Sequence, residues 1–145
     1  MNILIINGPN LNMLGHREID IYGNKSYKDL IDHIKKSTIN KHVKLKFYQT
    51  NHEGKIIDYL QKHYHKYDGL IINPGALTHY SYVLRDCLIS INKPTIEVHL
   101  SNINEREDFR RISVIKDIVN DSIIGLGFES YTKAIDQLME MIKWL

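Results

Sequence analysis

The sequence predicts an α/β fold, a doubly wound sheet of five parallel strands with helices on both faces. Three observations predict it. Short apolar runs alternate with amphipathic stretches from one end of the 145 residues to the other. Three of the five runs are continuously apolar, as strands buried on both faces are. Repeated strand–helix alternation builds a parallel sheet through right-handed crossovers.

The elements follow in chain order. Residues 2–6 form the first strand candidate, and residues 26–40 the first helical pattern, with Leu30, Ile31 and Ile34 on one face and Ser26 as the N-cap. A strand at 43–48 leads to a helix over 52–66 that carries Ile56, Ile57, Leu60 and Tyr64 at helical spacing. A strand at 69–72 precedes a helix over 81–92, stopped before Pro94. The strands at 95–98 and 122–126 are followed by a closing helix over 130–144, with Ile135, Leu138, Met139 and Ile142 on its apolar face. Five parallel strands in this arrangement make a flavodoxin-like sheet, which binds ligands outside the carboxyl ends of its strands.

Composition narrows the class. Hydrophobic residues make up 43% and charged residues 25%, values typical of a globular chain. A formal charge of +2 calls for neither a nucleic-acid nor a membrane partner. The lone cysteine, Cys87, excludes a disulfide framework and a cysteine zinc site. No apolar run approaches the roughly 20 residues of a membrane span, and the first residues lack the basic lead of a signal peptide. A cytoplasmic single domain over residues 1–145 is expected. Only five of the 19 basic residues are arginine: Arg17, Arg85, Arg106, Arg110 and Arg111. Arginine supplies a planar, permanently charged fork that lysine does not, so each marks a position to examine.

Three loops at the strand ends carry unusual chemistry. The first, with a lid segment at about residues 8–24, is far longer than the usual 2–6 residues. It holds Arg17 and Tyr22 between Gly15 and Gly23, which are placed to act as hinges. It contains neither G-x-G-x-x-G nor a P-loop. The second, residues 73–81, gathers Asn73, Thr78, His79 and Ser81, a polar set suited to a hydroxylated small molecule. Arg85 and Asp86 follow within a turn or two. The third contains Glu97 and His99, two apart and therefore on one face of a strand end. A carboxylate there orients the imidazole and fixes its tautomer. The N–H groups of Leu100 and Ser101 follow as an anion cradle. Arg106 and Arg110 then fall at i, i+4 on one helical face. His79 and His99 lack further ligands at metal-site spacing, so no metal site is expected. Cys87 reads as a buried small hydrophobe beside Leu84 and Leu88.

A phosphoacceptor receiver would need acidic residues after the first strand, where this chain has Asn7-Gly8-Pro9-Asn10. A flavin carrier would need a phosphate-binding loop at the same place.

Taken together, Asn-Gly-Pro-Asn-Leu, Leu-Gly-x-Arg-Glu with Tyr-Gly, Asn-Pro-Gly-Ala-x-Thr-His-x-Ser, Leu-Arg-Asp and Ile-Glu-Val-His-Leu-Ser-Asn resemble type II 3-dehydroquinate dehydratase, in order and over essentially the whole chain. The resemblance implies a cofactor-free hydro-lyase of the shikimate pathway acting on 3-dehydroquinate, a single catalytic domain assembled as a homododecamer of trimers. It implies Tyr22 as the base, Arg17 as the arginine that favours its phenolate, His99 as the general acid and Glu97 as its orienting neighbour. Asn10 matches the residue that stabilises the enolate through a water. Asn73, His79 and Arg110 match ligands of substrate hydroxyls, Leu100 and Ser101 the carboxylate cradle, and Asp86 an aspartate that reaches a neighbouring subunit's site. One departure stands out: Ile19 replaces the proline of the family's Arg-Glu-Pro, which predicts a more flexible lid. A dead homologue serving only as an assembly partner is a further reading, and intact Arg17, Tyr22 and His99 argue against it.

Overall fold

The computed structural model describes residues 1–16 and 18–145. Five strands, β1 (Asn2–Asn7), β2 (Lys44–Gln49), β3 (Gly69–Asn73), β4 (Thr95–His99) and β5 (Asp121–Ile124), form one sheet in the order β2-β1-β3-β4-β5. All four pairings are parallel. This is the flavodoxin-like order, and strand order reverses between β1 and β3. The helices are α1 (Ile19–Tyr22), α2 (Tyr27–Ser37), α3 (Glu53–His63), α4 (Tyr82–Ile91) and α5 (Glu129–Lys143). Among the described residues, no helix is long and apolar enough to cross a membrane.

The apolar runs are continuous because the sheet is covered twice. Alternate residues of β1 point to opposite faces. Ile3 and Ile5 pack with Leu30, Ile34, Ile135 and Leu138 of α2 and α5. Leu4 and Ile6 pack with Ile56, Leu60, Leu84 and Leu88 of α3 and α4. Each such side chain, fully withdrawn from water, contributes about 1.5–3 kcal/mol before chain entropy is counted. The edge strand β2 is covered less, and its lysines Lys44 and Lys46 deter pairing with another chain.

The sequence-derived elements all form, with differences at their ends. Ser26 caps α2 as expected, in a capping box: its Oγ accepts from Asp29 N at 3.1 Å and Asp29 Oδ2 accepts from Ser26 N at 2.8 Å. The helix stops at Ser37, where the Ser37 and Thr38 hydroxyls donate to the Ile34 carbonyl and compete with the helical ladder. Residues 64–66 tighten into a 3-10 turn after α3. The last strand ends at Ile124, short of Leu126, because Gly125 and Gly127 take positive φ and turn the chain. The expected helical face joining Arg106 and Arg110 is absent. Two 3-10 turns, Ile103–Glu105 and Asp108–Arg111, stand there instead, with extended backbone at Arg106 between them.

Candidate active site

The carboxyl ends of β1, β3 and β4 open onto a cavity of about 120 Å³. It has room for a small ring compound. Pro9, Asn10, Leu11 and Leu14 line it from the loop after β1, with Tyr22 from α1. Asn73, Gly75, Ala76 and His79 come from the loop after β3, and His99, Leu100, Ser101, Ile103, Arg106 and Arg110 from β4 and its loop. The first two loops touch because residue 8 is glycine. A Cβ there would lie 2.5 Å from the Pro74 carbonyl oxygen, so any side chain would push the loops apart.

The loop after β1 is more ordered than its length suggests. Asn10 takes φ 70°, starting a 3-10 turn over Leu11–Met13, and its N–H donates to Asn51 Oδ1 at 2.9 Å. Gly15 and Gly23, the two expected hinges, both have positive φ. Between them α1 makes a single turn, with Ile19 as its first residue. Proline is favoured at that helical position for its fixed φ, so isoleucine fits there without a lost hydrogen bond. Arg17, expected beside the tyrosine, lies outside the described residues.

Tyr22 meets a guanidinium contributed by the loop after β4. Arg106 Nη1 donates to the Tyr22 hydroxyl oxygen at 2.6 Å, and its Nη2 pairs with Glu18 at 3.1 Å. Burial works against the Arg106 charge, but Tyr22, Glu18 and Glu107 outweigh it and hold the group above its ordinary value. A donor of this kind stabilises negative charge on the phenolic oxygen once the proton has left. The sequence marked Arg106 as a scarce arginine and gave it no site role, because its partner is 84 residues away in the chain.

Glu97 and His99 meet as expected. His99 Nε2 lies 2.7 Å from Glu97 Oε1, and the carboxylate is wholly buried. Thr78 Oγ1 also donates to Glu97 Oε1, and Ser113 Oγ lies 2.9 Å from Oε2. Burial opposes the charge on Glu97, but these hydrogen bonds from His99, Thr78 and Ser113 outweigh it and hold the carboxyl below its ordinary value of 4.5. Sequence reasoning missed Ser113, which no motif ties to Glu97.

The lowered value has a consequence for stability. A carboxyl depressed in the folded state contributes stability that is complete above its unfolded value and disappears as pH falls through the folded one. The thermal midpoint is therefore expected to fall more steeply below about pH 4.5 in the wild type than in Glu97→Gln. Equal slopes in a pH series of melting curves would contradict this.

The remaining predicted residues separate into those at the cavity and one elsewhere. Asn73 is buried at its floor, with Oδ1 accepting from Gly75 N at 3.2 Å and Nδ2 donating to the Tyr131 hydroxyl at 2.9 Å. His79 donates from Nδ1 to the Ile112 carbonyl at 2.7 Å. Burial pushes its imidazole below the ordinary value, so its Nε2 is an acceptor near neutral pH. Arg110 Nε stands 2.9 Å from Glu107, and its guanidinium lies 4.8 Å from the Phe109 ring centre. The backbone at Leu100 and Ser101 is fixed from behind: Gly125 N and Ser130 Oγ donate to the His99 carbonyl, and Gly127 N to the Leu100 carbonyl. Asp86 is exposed on α4 and does not reach the cavity. Arg85 turns away too, binding Asp117 and the Val114 carbonyl. Cys87 is buried in α4, and burial raises its thiol.

Known proteins share this architecture. The family model for dehydroquinase class II matches residues 1–139. A 3-dehydroquinate dehydratase of Thermotoga maritima is 47% identical over 145 residues, covering 100% of this chain and 99% of its own. One from Caldicellulosiruptor saccharolyticus is 50% identical over 141 residues, 97% of either chain. The crystal structure of type II dehydroquinase from Butyrivibrio crossotus superposes with a TM-score of 0.92 at 52% identity, over 95% of this chain and 97% of that one. A match that runs nearly end to end, in sequence and in three dimensions, leaves one conclusion: the chain belongs to the class II dehydroquinase family.

Proposed function

We propose that this chain is a 3-dehydroquinate dehydratase, removing water from 3-dehydroquinate through an enolate to give 3-dehydroshikimate. The observation that carries the reading is the presence of two polar pairs at one cavity. In one a tyrosine hydroxyl stands 2.6 Å from a guanidinium, and in the other an imidazole stands 2.7 Å from a buried carboxylate. Elimination beside a ketone needs a base, an acid and a stabiliser for the charge that develops between them.

In this reading Tyr22, as phenolate, takes the proton alpha to the ketone, and the C–H electron pair moves into the enolate. The enolate collapses, the C–O bond to the departing hydroxyl breaks, and His99 supplies the proton with which it leaves as water. Proton return from Tyr22 to His99 through solvent closes the cycle. Arg17 and Arg106 stabilise the phenolate. With Nε2 held by Glu97, the His99 nitrogen available to the leaving group is Nδ1. Asn10 serves the enolate through a water. Asn73, His79 and Arg110 bind substrate hydroxyls, and the Leu100 and Ser101 N–H groups hold the carboxylate. Residues 8–24 close over the site as a lid, which strengthens these interactions by excluding water. The chain acts as one catalytic domain of a homododecamer in the cytoplasm, in the shikimate pathway, with Asp86 directed to a neighbouring subunit's site.

The test is turnover. Purified protein added to 3-dehydroquinate is expected to generate the ultraviolet absorbance of a conjugated enone, with chelator present and after borohydride treatment in the presence of substrate. A folded sample without turnover would overturn the reading.

A further inference from the structure

We infer that Tyr131, on α5, sets the orientation of the Asn73 amide, so that Asn73 offers the substrate an N–H and not a carbonyl; the inference rests on the function proposed above. Tyr131 is fully buried beneath the cavity and takes no part in the proton transfers. Its hydroxyl accepts from Asn73 Nδ2 at 2.9 Å and donates to Asn7 Oδ1 at 2.5 Å. Asn7 Nδ2 in turn donates to the Tyr27 hydroxyl at 3.2 Å. Asn7 and Asn73 end neighbouring strands and are partners in register.

An asparagine amide is nearly symmetrical in shape, so its partners decide which end carries the donor. Here both neighbours demand the same orientation. The Tyr131 proton is committed to Asn7 Oδ1, which can only accept. The Tyr131 oxygen therefore meets Asn73 as an acceptor, and only Nδ2 satisfies it. On the other side Gly75 N–H can only donate, so Oδ1 must face it. The amide nitrogen carries two hydrogens. One is taken by Tyr131, and the other serves the cavity that Asn73 lines. Burial pushes the Tyr131 hydroxyl far above its ordinary value, so it stays neutral and the arrangement does not change over the working pH range. Tyr131 is thus a positioning residue, acting through Asn73.

The test is a double-mutant cycle on kcat/KM. Tyr131→Phe keeps the buried ring and removes the acceptor, and is expected to lower kcat/KM about 10-fold, as losing a hydrogen bond to substrate does. If Tyr131 acts only through Asn73, the double variant Tyr131→Phe/Asn73→Ala is no worse than Asn73→Ala alone. A merely structural tyrosine would give losses that multiply. Asn7→Ala tests the same claim without touching Tyr131: it frees the Tyr131 proton to point at Asn73, sets that proton against the orientation the Gly75 N–H requires, and is expected to lower kcat/KM in the same direction. It carries the test if Tyr131→Phe does not fold by circular dichroism. Multiplying losses, or variants within about two-fold of wild type, would overturn the inference alone. A wild type that does not turn over 3-dehydroquinate would overturn the functional reading and the inference with it.

Discussion

Tyr22→Phe is expected to lower kcat by about 10²–10⁴-fold, the range over which a positioned general base contributes. The substitution removes one oxygen and leaves the ring, which packs at the margin of the core formed with α2 and α5. The fold is therefore expected to survive, with the melting temperature close to wild type. Arg106 would lose the acceptor for Nη1 but keep Glu18 and Glu107, so the part of the lining that Arg106 forms also stays in place. In the proposed function substrate binding rests on the hydroxyl and carboxylate ligands elsewhere in the site, so KM is expected to change much less than kcat. A Tyr22→Phe protein with near wild-type kcat would remove Tyr22 from the chemistry.

His99→Ala is expected to produce a comparable loss, for a different reason. Without the imidazole, the departing hydroxyl must leave without a positioned acid, and among the described residues Glu97 keeps Thr78 and Ser113 as donors. A buried carboxylate that loses one of its donors is poorly compensated, so this variant is also expected to melt lower than wild type. That separates it from Tyr22→Phe: both lose kcat, and only the histidine variant loses stability as well. Steady-state kinetics beside a melting curve reads both effects. Unchanged kcat in His99→Ala would sink the assignment of the acid.

The fold was legible in the chain because its signals are local. A strand covered on both faces, such as residues 69–72, must be continuously apolar, and a helix such as α5 must be apolar along one stripe. The Glu97–His99 pair was legible for the same reason, since a separation of two along a strand puts both side chains on one face. The Arg106–Tyr22 contact was not. Its residues lie in a one-turn helix and a stretch between two 3-10 turns, and neither segment has a period that aims a side chain. Ser113 and Tyr131 escaped for a related reason. Serine in a loop and tyrosine on an apolar helix face both have ordinary explanations, and only the tertiary arrangement brings them against Glu97 and Asn73. Ile19 shows the reverse case. Its departure from the family's proline was visible at once, and the structure places it at the first position of α1.

The central claim is that the two proton transfers belong to two different groups at one cavity, removal at Tyr22 and delivery at His99. The most direct measurement is deuterium uptake into unreacted 3-dehydroquinate in heavy water, followed by nuclear magnetic resonance for both variants. With the acid missing, His99→Ala is expected to form the enolate and return it, so deuterium enters the position alpha to the ketone faster than without enzyme. Tyr22→Phe is expected to show no uptake beyond the enzyme-free rate. Uptake by Tyr22→Phe that matches or exceeds that of His99→Ala would contradict the account.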